Sequence, residues 1–167
     1  MNAEQLRELQ APLKARYKEA PDAAVVTLRA RGRVTQGTLS CAVETGKPGV
    51  AAGLHPATGG DGTAACSGDM LLEALVACAG VTLAAVATSM GIEMKSATVS
   101  AEGELDFRGT LGVAKDAPVG FRRIRLGVAV ETTAPGDKVQ KLVELTERYC
   151  VVAQTLAKAT PIEVCLA

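Results

Sequence analysis

Residues 67–90, SGDMLLEALVACAGVTLAAVATSM, constrain the fold of this chain more than any other stretch. Ser67 offers a side-chain oxygen to the first free amides of a helix, Asp69 places a carboxylate at its positive end, and Gly91 supplies a stop. One long helix is therefore expected. Its surface is apolar nearly all round and dominated by Ala, so it should be buried on most faces and packed closely against a neighbour. The segment is also long enough to cross a bilayer. Glu73, Ser67, Asp69 and several small polar residues make it weakly hydrophobic, and no basic or aromatic belt flanks it, so it reads as a core helix.

The rest of the chain alternates between helix and strand periods. Leu6, Leu9, Leu13 and Tyr17 sit at helical spacing within Ala3–Lys18, with Pro12 placed to bend or break that helix. From Ala24 to Val43 the period drops to two, with Val26, Leu28 and Ala30 on one face and Arg29, Arg31 and Arg33 on the other. Two strands joined near Arg31–Arg33 are expected. Residues 45–66 are rich in Gly, Pro and Thr without periodicity, which reads as a loop of about 20 residues, long enough to be functional. KSATVSAEGELDF and FRRIRLGVAVETT then alternate as a pair of strands with a long connection. Pro135, Gly136 and Asp137 open a second helix running to about Lys158, with Val139, Leu142, Val143, Thr146, Tyr149, Cys150, Ala153, Leu156 and Ala157 on its stripe. A short closing strand, IEVCLA, completes the order α-ββ-α-ββ-α-β. That order predicts an α+β fold with a largely antiparallel sheet and two long central helices.

With 167 residues the chain can form one core, or one half of an intertwined dimer with a shared core. Residues 1–20 read as an N-terminal helical extension and 21–167 as the single domain. Eighteen basic residues balance 18 acidic ones with no block of either sign, and two Tyr, two Phe and no Trp leave little to stack on bases. Nucleic acid is not an expected partner, and neither is a membrane. MNAEQLRELQ lacks a basic start followed by an apolar run, which points to the cytoplasm and to reduced thiols.

The five cysteines, Cys41, Cys66, Cys78, Cys150 and Cys165, form no CxxC and no zinc knuckle, and His55 is the single histidine. A cysteine on an apolar face is by default a small hydrophobe, the reading taken for Cys41, Cys66 and Cys165. Cys78 and Cys150 differ in that each sits mid-helix on a core-facing stripe, so two helices could bring the sulfurs together. Chemistry requires a thiolate, and lowering the pKa by two units requires about 2.7 kcal/mol of preferential stabilisation of the anion. Burial opposes this. Cys78 also lies about three turns from Ser67, beyond the reach of that helix terminus. An arginine is therefore expected beside Cys78, from the row Arg29, Arg31 and Arg33, which can equally be a solvated sheet face. His55 is either a surface loop residue or lines a pocket mouth.

The stretches GGDGTAACSGDMLLEALVACAGVTLAAVATSMGI, DFRGTLGVAKDAPVGFRRIRL and ERYCVVAQTL resemble the OsmC/Ohr family, the osmotically inducible and organic hydroperoxide resistance proteins. The likeness runs from about Ala24 to the end and favours the OsmC-like branch. It implies an intertwined homodimer with active sites at the subunit interface and no metal or organic cofactor. Cys78 matches the family's peroxidatic cysteine, which would attack the O–O bond of an organic hydroperoxide, and Cys150 its resolving cysteine, with an external dithiol as reductant. Arg33 in ARGRV is the match to the family's thiolate-stabilising arginine. The family's carboxylate position is Gly68 here. Asp69 or Glu73 stands in for it, or they are a helix-start charge and an interface residue. Val151 also departs from the family, where a proline commonly follows the second cysteine. These departures leave room for a non-peroxidatic relative that binds a small apolar or electrophilic ligand at the dimer interface, and for a structural dimer whose cysteines are core filler.

Overall fold

The computed structural model describes residues 50–112 and 115–166 (Arg108 by its backbone alone), the backbone of 31–35 and 40–44, and residues 2, 4, 5, 8 and 19. Within the expected N-terminal helix Glu4, Gln5 and Glu8 are helical. The side chains of Asn2 and Gln5 each accept the other's amide at 2.9 Å, a reciprocal cap. The remainder of that helix, Pro12 included, lies outside the described residues. The fold is α+β with mostly antiparallel strands, as expected, and the chain divides into two compact units.

One unit comprises Tyr17–Glu73 and Ala101–Arg125. Its sheet has the order β1 (Arg31–Thr35), β2 (Ser40–Glu44), β3 (Val50–Gly53) and β4 (Ala65–Cys66). β1 and β2 are antiparallel, with Arg33 opposite Ala42 and Thr35 opposite Ser40. The reversal therefore falls between Thr35 and Ser40, and Arg31–Arg33 lie inside a strand rather than at its turn. Alternation marks the faces of a strand but not its end, which explains the shift. The described part of the expected loop 45–66, residues 50–66, carries more regular structure than its composition implies. β3 pairs antiparallel with β2 and parallel with β4, and a 3-10 turn at Pro56–Thr58 lies between. Gly59, at φ +93°, ends that turn in the left-handed conformation a glycine adopts without strain.

The long helix, α1 (Ser67–Met90), starts in this unit and continues into the other. It stops as the sequence predicts. Gly91 has φ +66°, its amide donates to Thr88 O at 3.2 Å, and the Ile92 amide donates to Ala87 O at 2.9 Å. This is the paired closure that satisfies the last helical carbonyls.

The other unit comprises Met1–Arg16, Ala74–Ser100 and Leu126–Ala167. The hairpin strands β5 (Met94–Leu105) and β6 (Phe121–Thr132) pair with each other and give one half to each unit. Their connection carries a short helix, α2 (Phe107–Thr110). In this unit Ser96 Oγ reaches Glu131 at 3.1 Å and Thr132 Oγ1 donates to Glu93 O at 2.6 Å, an order that makes the pair antiparallel. Leu83, Val86, Ala87, Ile92 and Leu142 form the core, with Val99, Val128 and Val130 of the strands packed on it.

Two helices follow the hairpin where one was expected. α3 (Gly136–Tyr149) ends at Cys150, whose backbone is extended at φ −72°, ψ 107°, and α4 (Val151–Ala157) begins immediately after. The closing strand is also missing from the single chain. Residues 160–166 form neither helix nor strand, and Ile162, Val164 and Leu166 are almost fully exposed. Exposure continues along α1. Leu75, Ala79, Leu83, Val86 and Ala87 are buried, whereas Ala74, Ala77, Val81 and Ala84 face outward. One chain thus covers one face of a helix whose sequence requires cover on most faces. By length and hydropathy α1 could cross a membrane, but its buried stripe is that of a core helix.

Candidate active site

The break between α3 and α4 builds the site. In an unbroken helix the amides of Val151, Val152 and Ala153 would bond to the carbonyls of Glu147, Arg148 and Tyr149. Here the α3 ladder finishes with the Cys150 amide on Thr146 O at 2.9 Å and resumes with the Gln154 amide on Cys150 O at 2.9 Å. The amides between them are left out of the ladder and lie near the sulfurs: those of Val151 and Val152 favour the anion of Cys78, and those of Ala153 and Val152 that of Cys150. Cys150 is fully buried beside Thr146 and Leu142, while Cys78 is half-buried on α1. The two sulfurs lie within hydrogen-bonding reach, with the Cys150 thiol donating to Cys78.

Burial pushes both thiols up, and the balance of partners separates them. For Cys78 it is outweighed by hydrogen bonds to the anion from the Val152 amide, the Cys150 thiol, the Val151 amide and the Thr82 hydroxyl. Its pKa lies below the ordinary cysteine value. For Cys150 burial prevails over the Ala153 and Val152 amides, because its bond to Cys78 and the charge there both disfavour a second anion; its pKa is raised. Hydrogen bonds to charged groups are worth about 1.5–3 kcal/mol each, which is how these donors offset burial at Cys78. In the structure the Thr82 hydroxyl donates its one proton to Cys78 O at 2.8 Å, and it serves the sulfur only by turning from that carbonyl.

Among the described residues the donors that favour the Cys78 anion are main-chain amides and neutral side chains. Arg33 has its backbone on β1 opposite Ala42, and its side chain, with the contact expected of it, lies outside the described residues. The same holds for the side chain of Cys41. Glu73 is exposed on α1. Asp69 lines a cavity of about 380 Å³ in the unit that holds the sheet, together with His55, Cys66, Leu72, Phe107 and Phe121. His55 Nδ1 accepts the Ala57 amide at 3.0 Å and its ring stacks on Phe107 at 4.9 Å. It is a half-buried loop residue that lines this cavity. Cys66, read as filler, lines the same cavity, and Cys165, expected in a strand, is exposed. Asp69 precedes Cys78 by nine residues of one helix, a rise of about 14 Å. Among the described residues no three of His, Cys, Asp and Glu converge as metal ligands.

What the sequence reasoning missed are main-chain groups, the amides of Val151 and Val152. One signal for them existed. A position that commonly holds proline is one where a helix begins anew, and Val151 occupies it.

The family model for OsmC-like proteins matches residues 60–164. No curated protein matches the sequence. Among solved structures, the fold is similar to that of an OsmC-like protein from Mycoplasma pneumoniae, with TM-score 0.67 and 14% identity over 79% of this chain and 88% of that one. It is also similar to an organic hydroperoxide resistance protein from Elizabethkingia anophelis, with TM-score 0.62 and 17% identity over 79% and 89%. A third is the organic hydroperoxide resistance protein OhrB of Bacillus subtilis, with TM-score 0.53 and 20% identity over 79% and 91%.

Proposed function

The chain belongs to the OsmC-like protein family, and on that premise we propose that it is a cysteine-based peroxidase reducing organic hydroperoxides. The observation that carries this reading is the asymmetry of the thiol pair: Cys78 is held toward thiolate by main-chain amides, and the Cys150 thiol beside it is held protonated. In the proposed reaction the Cys78 thiolate attacks the outer oxygen of the hydroperoxide. The O–O bond breaks, the alkoxide takes a proton and leaves as the alcohol, and Cys78 becomes a sulfenic acid. Cys150 then attacks that sulfur, an S–S bond forms, and the hydroxyl leaves as water with the proton from Cys150. An external dithiol reduces the disulfide by exchange and is itself oxidised. Cys78 is the nucleophile and Cys150 the resolving residue.

The unsatisfied surface supports a homodimer. Val81, 73% exposed, lies on an outward face of small apolar residues along α1, and Ile162, Val164 and Leu166 form a second uncovered apolar row. A second copy covers both, with strands and helices of the two chains intertwined. In that assembly Arg33, Asp69 and Glu73 are the charged side chains proposed to serve Cys78. A cytoplasmic setting keeps both thiols reduced between turnovers.

A second reading rests on the cavity beside Asp69, whose Leu72, Phe107 and Phe121 lining suits a small apolar ligand, and on Gly68 at the family's carboxylate position. Turnover separates the two. Reduced protein supplied with dithiothreitol should consume tert-butyl hydroperoxide, and Cys78→Ser should abolish that consumption. Undiminished consumption by the variant, or none by the wild type alongside retention of an apolar ligand, contradicts the peroxidase.

A further inference from the structure

The break at Cys150 frees acceptors as well as donors. The carbonyls of Glu147, Arg148 and Tyr149 lose the amides that an unbroken helix would give them, and a chain of this composition would recover those bonds by closing the break. Nothing local forbids closure: there is no proline or glycine from Glu147 to Lys158, and the apolar stripe continues in phase through Cys150 and Ala153. Some contact must hold the gap. One side chain spans it. Gln154 Nε2 donates to Glu147 O at 3.0 Å, a reach of seven residues from the first turn of α4 back to the last turn of α3. That carbonyl is the acceptor the Val151 amide would take if the helix closed. The Gln154 main-chain amide meanwhile bonds to Cys150 O at 2.9 Å, so both ends of this residue are tied across the break.

We infer that Gln154 is a positioning residue: by occupying Glu147 O it keeps the helix open at Cys150 and keeps the Val151 and Val152 amides directed at the Cys78 sulfur. The inference deepens the peroxidase reading and rests on it only for the purpose of the thiolate. Gln154 does not touch the reacting atoms. It acts through the main chain, by denying a competing acceptor to the Val151 amide.

The test is the pH profile of Cys78 alkylation by iodoacetamide, followed by peptide mass spectrometry in full-length protein. Gln154→Met keeps the length of the side chain and removes the donor. Its alkylation midpoint should rise by about one pH unit, the size of one lost charge-assisted hydrogen bond. Gln154→Lys, which restores a donor of similar reach, should return the midpoint to the wild-type value. An unchanged midpoint in folded Gln154→Met overturns the inference, as does failure of the lysine variant to restore the midpoint. Hydroperoxide consumption by the wild type is read separately: if it is absent while the midpoint still shifts, the peroxidase reading falls and the clamp stands.

Discussion

Cys78 and Cys150 are chemically alike in sequence and opposite in setting. Cys78 has two main-chain donors and a thiol to favour its anion, whereas Cys150 is buried against an anion. A lowered pKa means that the thiolate persists to lower pH, and a raised one that it forms only at higher pH. Alkylation of Cys78 should therefore have its midpoint below that of free cysteine, near pH 8.5, and alkylation of Cys150 above it. The reverse order, measured by peptide mapping across pH, would contradict the assignment. Cys150→Ala should move the Cys78 midpoint upward without bringing it to that of free cysteine, since the Val151 and Val152 amides remain. At this scale the residue types were legible and the main-chain donors were not. Side-chain charges such as that of Arg33 are visible in sequence, and the direction of a main-chain amide is not.

The decisive element is the break between α3 and α4. Its stripe positions, Leu142, Thr146 and Cys150, continue into Ala153 and Leu156 without a change of period, so periodicity predicts one helix to about Lys158. The break became visible only where sequence and family differ, at Val151. Cys150 already has φ −72° and ψ 107°, in the extended region a residue adopts before proline, and Val151 is the first residue of α4, where a missing amide leaves the helix ladder intact. Val151→Pro should thus preserve the fold, raising stability by about 0.4–1 kcal/mol through the unfolded chain, while removing one donor from Cys78. Denaturant unfolding and the alkylation profile should move apart: equal or greater stability with a higher Cys78 midpoint. A loss of more than about 3 kcal/mol, the penalty for proline inside a helix, would show that the chain is continuous there. By contrast α1, bounded by Ser67 and Gly91, was legible end to end because its stop is a local backbone property. The hairpin strands β5 and β6 were legible from their alternation.

For the molecule as a whole, the sequence demanded more burial than one chain supplies. α1 is apolar nearly all round yet buried on one stripe, and the segment expected to close the sheet has Ile162, Val164 and Leu166 in the open. Both features read correctly as apolar, and one chain leaves them partly uncovered, because periodicity reports which side chains seek cover and not what provides it. The proposed homodimer covers both. The 17.1 kDa chain should sediment at twice its mass, and Val81→Arg, which places a charge on the outward face of α1, should shift it toward monomer. A wild-type monomer at micromolar concentration would contradict the intertwined assembly.

The central claim is that Cys78 takes the oxygen and Cys150 resolves it. One equivalent of cumene hydroperoxide, added to the reduced protein and quenched by acid, should yield a peptide pair linked through Cys78 and Cys150 and release one equivalent of cumyl alcohol. In Cys150→Ser the same treatment should instead leave Cys78 as a sulfenic acid, trapped by dimedone. Alcohol release with Cys78 still reduced, or oxidation confined to Cys66 or Cys165, would contradict it.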